Sequence, residues 1–255
     1  MKSKAVLFGL NYSHCRNVNK LNGCVNDVIN MKEYLTSECG IQCDVYTDES
    51  EDLYPTTKQG MLTKLQELAT LSHSDALDFV FIHYSGHGSY IKDTNYDECD
   101  GFDECIVPSD CETNGYIIDD TISEILSKFN VNTKVVCVFD SCHSATICDM
   151  KYSWEGSSKK RIENYNQRIK AKVLTLSGCL DNQTSADAYI ADKSKFAGAL
   201  TNALLTLLKS NGAELNNDIF MLVNKLRLSL KQHGFDQVPK LCSTYNLLKD
   251  RAFLI

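Results

Sequence analysis

Apolar positions along the chain follow two alternating spacings, and each switch marks the end of an element. Short, nearly unbroken apolar runs, the mark of strands buried on both faces, occupy 4–10, 41–46, 77–84, 134–139, 172–176 and 239–244. Between them apolar residues recur at steps of three and four. Positions 24–38 set Val25, Val28, Ile29, Met31 and Leu35 on one side of a helix, and 57–71 space Met61, Leu62, Leu65 and Leu68 for burial. Further helices are predicted at about 120–129, 195–209 and 217–232. This order predicts an α/β fold with a mainly parallel central sheet flanked by helices on both faces. At 255 residues the chain fits one such domain, 1–255.

One stretch breaks the rhythm. From 151 to 172 there are seven basic residues (Lys151, Lys159, Lys160, Arg161, Arg168, Lys170, Lys172) against two acidic ones, with Gly156-Ser157-Ser158 inside and little apolar patterning. A flexible, exposed basic connector over 151–171 is expected, with Trp154 docking it on the body. It divides the chain into a part at 1–150 and a part at 172–255.

Composition narrows the field. A net charge of −7 argues against nucleic-acid binding, and no apolar stretch is long enough to serve as a signal core or a membrane span. The expectation is a cytoplasmic protein with no nucleic acid and no membrane among its partners. Twelve cysteines invite disulfide or zinc readings, but no secretory signal supports the first and no C-x-x-C pair the second. The acidic positions Asp93, Asn95, Asp97 and Glu104 have the spacing of EF-hand ligands. Glu98 stands where that loop needs glycine, so the EF-hand is rejected.

Two of the apolar runs end on reactive residues. One leads into Ser85-Gly86-His87-Gly88, the other into Asp140-Ser141-Cys142-His143-Ser144. The carboxyl ends of parallel strands are where open α/β sheets bind ligands, and a thiol with an imidazole there suits nucleophilic catalysis. His87 is the better base, because neighbouring side chains such as Cys142 and His143 point different ways. The amides of Gly88 and Cys142 are candidates for an oxyanion hole. His83, inside its strand, reads as a satisfied core histidine.

These two motifs resemble the His and Cys motifs of metacaspases, relatives of caspases. Leu21-Asn22-Gly23-Cys24-Val25-Asn26-Asp27, Asp100-Gly101-Phe102-Asp103-Glu104, Ile117-Ile118-Asp119-Asp120 and Asp181-Asn182-Gln183-Thr184-Ser185-Ala186-Asp187 resemble further signatures, in family order. The likeness covers nearly the whole chain, with a large-subunit-like part before the connector and a small-subunit-like part after it, as in type I members. The sequence starts without their Pro/Gln-rich prodomain, and Ala145 stands where glycine is usual. The resemblance implies a caspase-like fold and a monomeric cysteine endopeptidase using His87 and Cys142. Its substrates would be proteins or peptides with Arg or Lys before the scissile bond. The pocket positions are Cys24, Asp27, Ser85 and Asp140; taken alone, Asp27 reads equally as a solvated residue early in a helix and Asp140 as a turn cap. Asp103, Asp119, Asp120 and Asp149 match the family's Ca²⁺ ligands, and oxygen-only ligands suit that ion. Self-cleavage is expected after one of the basic residues between Lys151 and Lys172. The alternative is a non-proteolytic scaffold or regulator with the same fold.

Overall fold

The computed structural model describes residues 1–92, 101–141, 148, 150–155, 159–162, 164, 167–178, 187–190 and 195–254, with backbone only at 159, 187–190 and 195–197. Cys142, Asp149, the acidic positions 93–100 and most of the 181–187 motif lie outside the described residues.

In chain order the strands are β1 (Ser3–Gly9), β2 (Gln42–Thr47), β3 (Phe79–Ser85), β4 (Gly88–Lys92), β5 (Phe102–Ile106), β6 (Ile117–Ile118), β7 (Lys134–Asp140), β8 (Tyr152–Glu155), β9 (Lys159–Ile162), β10 (Lys172–Ser177), β11 (Asp187–Ile190), β12 (Lys195–Gly198) and β13 (Lys240–Ser243). The helices are α1 (Cys24–Ser37), α2 (Lys58–Ser74), α3 (Cys111–Asn114), α4 (Asp119–Ser127), α5 (Ala199–Asn217) and α6 (Ile219–Gln232). Eight strands form the main sheet in the order β2-β1-β3-β7-β10-β13-β8-β9. The first five run parallel; β13, β8 and β9 are added antiparallel. The sheet is therefore mainly parallel, as its apolar runs predict. Its continuous apolar strands follow from burial on both faces.

Side chains alternate across the sheet and feed two cores. Ala5, Leu7, Phe79, Phe81, Val136, Val138, Leu174 and Leu176 pack with residues of α1, α5 and α6. Val6, Phe8, Val80, Ile82, Tyr84, Val135, Cys137 and Phe139 pack with α2 and α4 on the other side. Each fully buried aliphatic side chain contributes about 1.5–3 kcal/mol, so the central strands anchor whatever their ends carry.

Three expectations are corrected. On α1 the buried face comprises Cys24, Asp27, Val28, Met31, Tyr34 and Leu35, while Ile29 is exposed. The apolar residues of this helix are split between two faces, and the inward one accepts a carboxylate. The helix expected from 195 starts at Ala199, because Lys195–Gly198 is a strand paired with β11. The basic connector is not loop at 152–155 and 159–162: β8 and β9 pair there and extend the main sheet beyond β13. Lys159, Lys160 and Arg161 lie in β9, Lys151 immediately before β8 and Lys172 at the start of β10. What holds the hairpin is Trp154, which is buried, packs edge-on against Phe220 at 5.4 Å and donates Nε1–H to Ser243 Oγ at 2.7 Å. Lys160 adds a cation–π contact 4.8 Å above the Tyr152 ring.

Candidate active site

Strands β3 and β7 are parallel neighbours with Ser85 opposite Asp140, so both motifs arrive at one place on the carboxyl edge. Alternation then sorts their side chains. Ser85 and Asp140 turn toward α1 and α5, and Tyr84 and Phe139 toward α2 and α4.

On the α1–α5 side two buried carboxylates come together. Asp27 accepts the Ser85 hydroxyl at 2.6 Å, and both its oxygens lie 3.0 Å from the Gly198 N–H. Asp140 Oδ2 accepts the Thr201 N–H at 2.8 Å. Gly198 is the N-cap of α5 and Thr201 lies in its first turn, where the amides have no partner within the helix. The positive end of the helix dipole thus faces two carboxylates that are nearly solvent-free, at 1% and 3% exposure. Glycine is required at 198: a Cβ there would fall 2.7 Å from Asp27 Oδ2 and closer still to Asp140 Oδ2. Cys24 is buried at the start of α1, its N–H given to Asn11 Oδ1 at 3.1 Å. Of the four residues expected at the pocket, Asp27, Ser85 and Asp140 meet around Gly198 and Thr201, and Cys24 stands on α1 one turn before Asp27.

Behind the pocket His83 is fully buried. Its Nε2 lies 3.1 Å from Thr201 Oγ1, while Nδ1 has no hydrogen-bond partner. Burial pushes its pKa down to about 3, so the ring is neutral. It is a core histidine, half-satisfied rather than fully so.

His87 stands just past β3, with Gly88 opening β4 opposite Ile106. Its Nε2 lies 2.6 Å from the carbonyl oxygen of Asn19. A carbonyl only accepts, so Nε2 carries a proton, which leaves Nδ1 as the nitrogen that can act as a base. The ring packs against Tyr12, with centroids 4.7 Å apart and planes at 33°. The chain enters Cys142 two residues beyond Asp140 through the buried Ser141.

At a third place, Asp103 on β5 and Asp119 at the start of α4 are buried and Asp120 is half-buried. Asp119 Oδ2 accepts the Glu104 N–H at 2.9 Å and Oδ1 the Asp120 N–H at 2.8 Å, which draws the two segments together. Among the described residues no three His, Cys, Asp or Glu side chains already enclose a metal position. The donor set itself fits a hard cation, since all its ligands would be carboxylate oxygens.

The sheet order, with helices on both faces and the imidazole of His87 just past β3, is that of a caspase-like fold. The known proteins this chain resembles agree. Residues 3–151 match the family described as metacaspase, peptidase C14 domain. Metacaspase-1A of Neurospora crassa is 30% identical over all of this chain and 65% of its own length. Metacaspase-1 of Botryotinia fuckeliana is 31% identical over all of this chain and 70% of its own, and metacaspase-5 of Trypanosoma cruzi 33% identical over 94% and 57%. The chain thus spans about two thirds of these relatives or less. Among solved structures, a Geobacter sulfurreducens protein superposes with a TM-score of 0.70 at 25% identity, covering 100% of this chain and 99% of that one. Caspase-1 of Spodoptera frugiperda gives 0.61 at 13% identity over 95% and 86%, a likeness of fold. The chain belongs to the metacaspase family.

Asn19, Tyr12, Gly198 and Thr201 escape a sequence reading because all but Tyr12 act through backbone atoms that every residue type carries. For Gly198 a glycine just before an apolar helical run was the one available signal. Among the described residues no helix is long and apolar enough to cross a membrane.

Proposed function

We propose that this protein is a Ca²⁺-activated cysteine endopeptidase that cleaves after Arg or Lys. The observation that carries the reading is the pair of buried carboxylates, Asp27 and Asp140, converging on Gly198 beside the strand-end base. A guanidinium or ammonium entering there would meet two charges already oriented by fixed donors, which favours a cation before the scissile bond.

In the mechanism, Nδ1 of His87 takes the Cys142 thiol proton while Nε2–H stays on Asn19. The thiolate attacks the substrate carbonyl carbon, and the amides of Gly88 and Cys142 receive the developing oxyanion. The imidazolium returns the proton to the leaving amine, giving a thioester. Water, deprotonated by His87, then releases the acid. Asp103, Asp119 and Asp120, with Asp149, would hold Ca²⁺, whose charge would offset their mutual repulsion.

Self-processing would fall at Arg168 or Lys170, both exposed and outside strands, rather than within the paired β9. A cytoplasmic monomer fits the charge and the sheet edge: β13 is covered by the β8–β9 hairpin, and exposed Lys160 and Arg161 on the outer strand oppose pairing of two copies. The test is hydrolysis of an Arg-ended fluorogenic peptide in Ca²⁺ and in EGTA, with Cys142→Ala as control. Activity should need Ca²⁺ on the order of 10⁻⁴–10⁻³ M, as weak carboxylate sites do. Full activity in EGTA would overturn the Ca²⁺ part, and turnover by the control would overturn the nucleophile.

A further inference from the structure

Only two non-glycine residues among those described adopt positive φ, and one of them, Tyr12, touches the base. Its φ of 59° is a costly conformation for a bulky side chain and needs an external hold. Asp48 supplies it. This buried carboxylate accepts the Asn11 N–H at 2.9 Å through Oδ1 and the Tyr12 N–H at 2.5 Å through Oδ2. The turn so fixed sends the phenol of Tyr12 under His87.

There it meets the phenol of Tyr84, 2.9 Å away. Each hydroxyl has one hydrogen, and the distances sort the bonds. Tyr84 donates to the His87 carbonyl at 2.6 Å, and Tyr12 shares its one hydrogen between the Val107 carbonyl at 2.8 Å and Tyr84 Oη. In return Tyr12 Oη accepts the His87 N–H at 2.9 Å and Tyr84 Oη the Val107 N–H at 3.2 Å. Both peptide groups of His87 are thereby tied to Val107, just beyond β5. Burial raises the pKa of both phenols, so they stay protonated and keep donating. The same pair explains Gly86: a Cβ there would sit 2.6 Å from the Tyr84 hydroxyl and 2.8 Å from that of Tyr12.

We propose that Tyr12 is a positioning residue for His87, locking the base's backbone through its phenol and facing the imidazole with its ring, and that Asp48 acts through Tyr12 by holding its left-handed turn. Neither group touches substrate. The inference rests on His87 being the base, so His87→Ala is measured alongside.

The experiment compares Tyr12→Phe, Asp48→Asn and Asp48→Ala in the full chain, with kcat expressed per site titrated by an arginyl chloromethyl ketone so that unfolded molecules do not count. Tyr12→Phe keeps the ring and loses only the clamp. It should lower kcat roughly 10- to 100-fold, as a small misplacement of a catalytic group does, with KM within about twofold. Asp48→Asn, which retains a carbonyl acceptor, should keep more activity than Asp48→Ala. Wild-type kcat in Tyr12→Phe, or a raised KM with unchanged kcat, would overturn the proposal. Undiminished turnover by His87→Ala would overturn the base assignment and the proposal with it.

Discussion

The last residues of β3 serve two chambers built on opposite principles. On the α2–α4 face, Tyr84 joins Tyr12 to hold the base through neutral groups: phenols, a carbonyl of Asn19, the peptide of Val107. On the α1–α5 face, Ser85 belongs to a pocket where two carboxylates are kept nearly dry by hydroxyl and amide donors. The difference suits the two tasks proposed for them. A base whose charge changes during turnover is best held by groups that do not titrate, whereas a pocket for a cation must store negative charge before the cation comes. Alternation along one strand lets the two lie one residue apart without mixing.

Substitutions break this comparison in a definite order. Removing the dyad should act most strongly: Cys142→Ala and His87→Ala should each lower kcat by roughly 10³-fold or more, while His143→Ala retains a substantial part. Steady-state kinetics on an Arg-ended peptide reads this directly. A dead His143 variant beside an active His87 variant, both folded, would reverse the assignment.

The pocket should come second and act on selectivity. Asp27→Ala or Asp140→Ala removes a charge-assisted partner and should cost about 2–4 kcal/mol in kcat/KM for Arg substrates. Gly198→Ala should act in the same sense at about 1–3 kcal/mol, because its Cβ displaces both carboxylates. If Gly198→Ala left kcat/KM unchanged, the convergence at this glycine would not matter to substrate.

The last effect is on stability rather than turnover. His83 has its pKa depressed to about 3 in the fold, against about 6.5 when unfolded. A depressed histidine contributes stability in full above pH 6.5, and that contribution is lost as the pH falls toward 3, since protons then favour the unfolded chain. Thermal or urea melts should show about 2 kcal/mol lost from this group by pH 5. His83→Gln should flatten that part of the pH dependence; an unchanged slope would contradict the buried, neutral ring.

Burial on two faces writes a continuous apolar run. The strands β1, β3, β7 and β10 and the convergence of His87 with Ser85 and Asp140 are legible for that reason. Short hairpins leave no such run. In β9 the run Lys159-Lys160-Arg161 reads as a solvated loop, yet it is an edge strand, where charge is compatible with pairing on one side only. In α1 the apolar residue Ile29 misled, because the inward face there belongs to the pocket and carries Asp27. The donors that shape the site, Asn19 O, Gly198 N and Thr201 N, are backbone atoms and leave no mark in residue type.

The central claim is that the two buried carboxylates select a cationic residue before the scissile bond. The most direct measurement is cleavage of a peptide library varied at that position, by the wild-type protein in Ca²⁺ and by Asp27→Asn and Asp140→Asn. The account predicts cuts after Arg and Lys by the wild type, with that preference reduced by about 2 kcal/mol or more in either variant. Cuts after Asp, or a preference for Arg and Lys that both variants retain in full, would contradict it.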